Sequence, residues 1–181
     1  ACQTSKNQPL PESLPIFVCP FTVAVDSREQ APWTFQNQVI DRHTWIVKRQ
    51  VVMMETGDYS IYDPYHLYET IVIERKNPED FVSTITAGNP RFRREHERMQ
   101  AIVDAGGFAC VIIEGSMSDI CISLDDPNSG RQVPSSVVVS ITATWPRRYR
   151  VPWFFAGDRW RAECLAFRIL QKWWEECGDP K

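Results

Sequence analysis

The sequence predicts an α/β fold in which a mixed central β-sheet is flanked by helices on both sides. Three observations carry that prediction. Ile71-Val72-Ile73 and the run from Phe108 to Glu114 are apolar without alternation, as in strands buried on both faces. Between those two runs stand a helix start, Asn77-Pro78-Glu79-Asp80, and a helix stop, Gly106-Gly107. Asp58 to Tyr62, a turn around Asp63-Pro64 and a return strand from about Leu67 read as a hairpin, which adds an antiparallel pair.

Taken in order, residues 1–15 contain Pro9, Pro11 and Pro15 and read as an extended N-terminal arm, with residues 16–181 as a single domain. Phe21 to Val25 is a core strand that delivers Asp26 to its end. Residues 30–44 read as a loop whose Trp33 and Phe35 pack on the core, followed by a strand from Trp45 to Val52. A helix is expected from Pro78 to Ala87, with Gly88-Asn89-Pro90 as its break. The next helix, Arg91 to about Asp104, turns Phe92, His96, Met99 and Val103 inward and places Arg91, Arg94 and Arg98 together on another face. His96 is expected to pack.

Residues 116–132 are loop-like in composition and read as a flap. A helix from Pro134 to Thr144 is expected to stop at Pro146. Arg147, Arg148 and Arg150 follow, with two uses open to them: complementing the helix's negative end or touching phosphate. Val151 to Ala156 is a last strand, placed at an edge by its proline. Asp158 caps a closing helix through Glu176, whose Trp160, Cys164, Phe167, Leu170, Trp173, Trp174 and Cys177 exceed one narrow stripe and leave surface for a homodimer contact.

Composition narrows the function. At 181 residues the chain supports one core, and no apolar run approaches membrane-spanning length. The first residues lack a secretory signal, so the expected setting is cytoplasmic, in a prokaryotic or virus-infected cell, or nuclear. Six cysteines without CxxC or zinc-finger spacing suggest buried or free thiols. A net charge of −3 argues against a protein that coats nucleic acid, although placement of the basic residues decides phosphate contact.

The chemistry concentrates between Gly57 and Asp80. Side chains alternate along a strand, so Glu74 and Lys76 share one face at its end while Arg75 takes the other. Fifteen residues separate Asp58 from Glu74, and the hairpin brings the two carboxylates together. Converging carboxylates make a hard oxygen site suited to Mg²⁺, with Mn²⁺ as a substitute, and Lys76 supplies charge at an attacking water or a scissile phosphate. Asp26 has two readings, a third carboxylate for the metal or a turn cap. Asp80 fits best as a helix cap, and the Arg91, Arg94 and Arg98 row suits a phosphate backbone.

Gly57-Asp58, then Glu74-Arg75-Lys76, then three residues and Asp80, resembles the signature of the XPF-type structure-specific endonucleases, a branch of the PD-(D/E)xK nucleases. Val25-Asp26-Ser27-Arg28-Glu29, Arg91-Phe92-Arg93-Arg94-Glu95 and Val111-Ile112-Ile113-Glu114-Gly115 resemble further segments of that family, over roughly residues 20–176. The resemblance implies a restriction-endonuclease-like core and Mg²⁺- or Mn²⁺-dependent cleavage of branched, flap or junction DNA in repair, recombination or replication. It tips Asp26 toward the metal, making Asp26, Asp58 and Glu74 metal-holding residues, with Lys76 the fourth catalytic group. Arg28, Glu29, Arg75 and Asp80 support them, and pairing of two copies is implied. The alternative is a non-catalytic DNA-binding or scaffolding partner of a nuclease. Larger relatives often carry a helix-hairpin-helix pair after this domain. None follows here, so DNA affinity is expected to be weak or supplied by a partner protein.

Overall fold

The computed structural model describes residues 14–36, 38–62, 70–86, 89–128 and 133–177. Among the described residues seven strands form one sheet in the order β2-β3-β1-β4-β5-β6-β7. They are β1 Ile16–Asp26, β2 Gln38–Ile40, β3 His43–Val52, β4 Tyr59–Tyr62, β5 Ile71–Lys76, β6 Phe108–Ile113 and β7 Trp153–Phe155. The sheet is mixed. β1 runs parallel to β3 and antiparallel to β4, β4 is antiparallel to β5, and β5, β6 and β7 are mutually parallel neighbours.

Five described helices cover the two faces: α1 Pro78–Thr86, α2 Asn89–Asp104, α3 Met117–Asp125, α4 Ser135–Tyr149 and α5 Arg159–Cys177. Strand alternation sorts the core accordingly. Ala24, Val72, Val111 and Ile113 pack with Phe81, Phe92, Met99, Leu124 and Trp145 of α1 to α4. Val25, Tyr59, Ile71, Ile73 and Ile112 pack with Phe167 and Leu170 of α5. Both faces of β5 and β6 are therefore buried, as their unbroken apolar runs require.

Several expectations change. β1 starts at Ile16 rather than Phe21, because Pro20, which cannot donate to a ladder, sits where the register with β3 shifts between Val18 and Thr22. The presumed loop 30–44 holds β2 and the start of β3, joined by a tight turn with positive φ at Asp41 and Arg42. A three-residue edge strand has no period to detect. Trp33 and Phe35 do pack inward, and Trp33 is fully buried on Tyr59.

The presumed flap contains α3. Its Ser116 accepts a hydrogen bond from the Asp119 N–H at 3.0 Å, and Ile120 and Leu124, one turn apart, seat it on the core. Residues 129–132 lie outside the described residues. α1 and α2 are separate helices, as the Gly88-Asn89-Pro90 break predicts, but α2 opens at Asn89 rather than Arg91, since proline is tolerated in a first helical turn. Pro146 does not stop α4, which runs on to Tyr149. Trp145 and Tyr149, one turn apart across the proline, both pack on the His96 ring, and that packing offsets the missing N–H. Arg150 ends the helix in the left-handed region and pairs with Asp104, while Arg148 lies over the Tyr149 ring.

β7 lies at the sheet edge, as Pro152 just before it suggests. The arm's residues 1–13, the hairpin turn at Asp63-Pro64, Leu67, Ala87 and Gly88 lie outside the described residues. Most of the apolar excess of α5 is absorbed: Phe167 and Leu170 are buried, Trp173 donates to Thr70 Oγ1 at 3.2 Å, and Trp174 packs on Phe21. Trp160 stays exposed. No described helix is long and apolar enough to cross a membrane. The described cysteines 19, 110, 121, 164 and 177 are free thiols.

Candidate active site

Asp26, Asp58 and Glu74 end or precede three adjacent strands, β1, β4 and β5, on the face that α1 to α4 cover. The hairpin aligns them. The Asp58 N–H donates to Ile73 O at 2.9 Å, and the Asp58 carbonyl accepts from the Asp26 N–H at 2.9 Å, so its backbone is held between β5 and β1. Asp58 Oδ2 accepts from the Arg75 N–H at 2.7 Å. Gly57 turns the chain into this position at φ +74°. A Cβ there would meet Val72 Cβ at 3.1 Å and Ile73 O at 3.3 Å, so the close approach to β5 as well as the angle requires glycine.

Glu74 and Lys76 point to the same side, as alternation demands, and the Lys76 ammonium donates to Glu74 Oε1. It also lies 5.6 Å from the Phe92 ring centroid. These groups open on a cleft of about 810 Å³, whose lining includes Asp58, Glu74, Lys76, Arg91 and Arg94. Burial, then the Glu74 charge, holds the Asp58 carboxyl well above the ordinary carboxylate range, against the opposing Arg75 N–H and Lys76. Glu74 is also raised, by burial first, with Lys76 opposing and Glu95 adding repulsion. Burial pulls Lys76 down, but Glu74, Asp58 and Glu95 outweigh it, so the side chain stays an ammonium.

Asp26 is engaged differently from Asp58 and Glu74. Its Oδ1 accepts from the Arg28 N–H at 2.7 Å and Arg28 Nε at 2.8 Å, and its Oδ2 accepts from Arg28 at 3.0 Å and the Met54 N–H at 2.8 Å. Burial pushes its pKa up, yet these bonds and the Arg28 charge outweigh burial and hold it below the usual range. Among the described residues no three His, Cys, Asp or Glu side chains form a ready metal cluster. The donor set nevertheless fits a hard divalent cation at Asp58 and Glu74, whose mutual repulsion such an ion relieves. Asp26 also lines the cleft, and the four donors on its oxygens brace the turn carrying Arg28.

On the other face of β5, Arg75 makes a fork to Glu114, with Nε to Oε1 at 2.8 Å and Nη2 to Oε2 at 2.9 Å, and reaches Glu29 at 3.1 Å. Glu114 also accepts from Trp33 Nε1 at 2.6 Å and from Arg159 at 3.0 Å. Burial raises its pKa, but Arg75 and Trp33 prevail and hold it low. Glu114 was left out of the sequence-derived site. Its apolar strand followed by a charge, like that of β5, was the available signal.

Asp80 stands on the surface and exchanges two hydrogen bonds with Asn77, the Asp80 N–H donating to Asn77 Oδ1 at 2.7 Å and Asn77 Nδ2 to Asp80 Oδ2 at 2.8 Å. Arg91 and Arg94 are exposed; Arg98, whose side chain is 41% exposed and also lines the cleft, donates to Thr56 Oγ1 at 3.2 Å and pairs with Glu95. His96 is fully buried. Its Nε2 accepts from Trp153 Nε1 at 2.9 Å, and burial lowers its pKa to about 4.

The ERCC4 domain family model matches residues 25–160. Among curated proteins none matches the chain. Solved structures share its fold, two of them from one organism. XPF from Aeropyrum pernix in complex with DNA is 17% identical with a TM-score of 0.57, over 86% of this chain and 66% of that one. XPF from Aeropyrum pernix is 18% identical with a TM-score of 0.56 over the same shares. This chain thus spans just under two thirds of the length of those structures and shares their α/β fold. With the match extending over most of its length, the chain belongs to the ERCC4 domain family, the family of the XPF-type endonucleases.

Proposed function

We propose that this protein is a divalent-metal-dependent DNA endonuclease that hydrolyses phosphodiester bonds in branched, flap or junction DNA, in repair, recombination or replication. The observation that carries the reading is the placement of Asp58, Glu74 and a charged Lys76 on one face of a strand end, opening on a single cleft. Asp58 and Glu74 would hold Mg²⁺ or Mn²⁺, which when bound supplies Lewis-acid polarisation of the phosphate and a more acidic water. Lys76 acts as a fixed positive charge and hydrogen-bond donor. Held beside Glu74 by its ammonium hydrogen bond, it orients or activates water or neutralises the phosphate.

Arg91 and Arg94 line the cleft and offer the phosphate backbone two exposed guanidinium groups. Few such contacts predict weak intrinsic affinity, which suits a second copy or a partner protein that contributes DNA binding. The nucleus, or the cytoplasm of a prokaryotic or virus-infected cell, is the setting in which that substrate occurs. The test is cleavage of labelled linear duplex, single-stranded, flap and four-way-junction DNA with Mg²⁺ or Mn²⁺, comparing wild type with Glu74→Ala. Cleavage lost in the variant with DNA binding retained supports the proposal. Binding without cleavage by the wild type favours the scaffolding role instead.

A further inference from the structure

The loop that presents Asp58 is held from three sides, and α2 supplies the third hold. The Asp58 N–H and C=O are taken by β5 and β1. The preceding amide, that of the buried Gly57, donates to Glu95 Oε1 at 3.1 Å. Glu95 Oε2 is in turn paired with Arg98, whose Nε reaches Thr56 Oγ1 at 3.2 Å. Thr56 and Gly57 are thus gripped by two residues one helical turn apart on α2. The Glu95 side chain is only 15% exposed, and its charge is felt by Glu74 and Lys76.

We propose that Glu95, with Arg98 as its brace, is a positioning residue for the cleavage reaction: it fixes the Gly57 amide and so the angle at which Asp58 enters the cleft. This rests on the nuclease reading. Arg91, Arg94, Glu95 and Arg98 all line the cleft, and of these Glu95 and Arg98 also reach Gly57 and Thr56, the two residues before Asp58. A helix that contacts substrate and holds the reacting loop through rigid bonds keeps the two in register.

The test measures kcat and KM on the best-cleaved DNA together with hydrogen exchange of the Gly57 amide in the metal-free protein. Glu95→Ala is expected to lower kcat about 100-fold with KM within about twofold, and to expose the Gly57 amide to exchange. Glu95→Gln, which keeps an acceptor oxygen, is expected to restore Gly57 protection and most of kcat. Arg91→Ala provides the contrast, raising KM. Wild-type kcat in Glu95→Ala, a change confined to KM, or unchanged Gly57 exchange overturns the proposal. Should Glu95→Ala fail to fold, Arg98→Met decides: reduced Gly57 protection and kcat support the latch, and wild-type values overturn it. A wild-type protein that cleaves no DNA overturns the nuclease reading, and the Gly57 amide then decides separately whether the latch exists.

Discussion

The two sides of the last turn of β5 solve the same problem in opposite ways. Three consecutive charged residues end a strand that is otherwise apolar. On the α5 side, Arg75 is met by Glu29 and Glu114, and Glu114 takes further donors from Trp33 and Arg159, so each charge has an answer. On the α1 to α4 side, Glu74 and Asp58 repel one another and share a single ammonium before an open cleft. Carboxyl affinity for protons separates accordingly, held down at Glu114 and pushed up at Asp58 and Glu74. A closed network of this kind holds a strand in place; an unbalanced one on the same backbone is ready to take up a cation and a phosphate.

The sharpest way to break this comparison is to neutralise one carboxylate on each side. Glu74→Gln is expected to reduce cleavage by roughly 1000-fold, while its thermal midpoint holds or rises because a repelling charge is gone. Glu114→Gln is expected to do the reverse to stability, costing about 3 kcal/mol in urea unfolding, since Arg75 and Glu114 have side chains only 9% and 7% exposed and the remaining charge loses its partner. Midpoints that move in the same direction in both variants would end the distinction between a closing side and a reacting side.

Much of this contrast was legible in the sequence. Alternation alone separates Glu74 and Lys76 from Arg75, and the hairpin spacing brings Asp58 to Glu74, because both follow from local geometry. What answers Arg75 was not legible: Glu114 lies 39 positions away and Arg159 on another element, and such partners are chosen by tertiary packing. That Asp26 braces a turn was not legible either, since its four donors become visible only once Met54 and Arg28 are placed around it. Pro146 and α3 were misread for a related reason. Packing on His96 carries one helix through a proline, and a cap with two core contacts builds the other in a stretch of polar composition.

A further titration sharpens the reacting side. His96 sits in the same core layer as Phe92 and Trp153, fully buried, with both ring nitrogens engaged and its pKa near 4. The depressed value sets the sign. Above the unfolded value of about 6.5 the imidazole is neutral in both states and its contribution is fully present. As pH falls from about 6.5 toward 4, only the unfolded chain takes up the proton, and this removes about 3 kcal/mol of stability. The comparison that isolates it is wild type against His96→Gln, unfolded by urea at a series of pH values. The difference between the two curves should shrink by that amount on acidification. A constant difference would mean that His96 is not held neutral by the core.

The smallest expected effect concerns Asp80, the last residue of the signature and the one most easily mistaken for a metal ligand. It lines the mouth of the cleft, yet it is exposed and its two described hydrogen bonds go to Asn77 at the start of α1. A residue so placed acts on Glu74 and Lys76 only through the helix that follows them. Asn77→Ala should therefore cost about 1 kcal/mol of stability, the usual value of a lost cap, and Asp80→Ala somewhat less. Cleavage by Asp80→Ala should fall by less than about tenfold, and Asp80→Asn, which retains an oxygen acceptor for Asn77, should recover most of that loss. A fall in Asp80→Ala as deep as that in Glu74→Gln, without recovery in Asp80→Asn, would show that the charge itself reaches the reacting phosphate or its metal, and would move Asp80 from the capping side of the strand end to the side of Asp58 and Glu74.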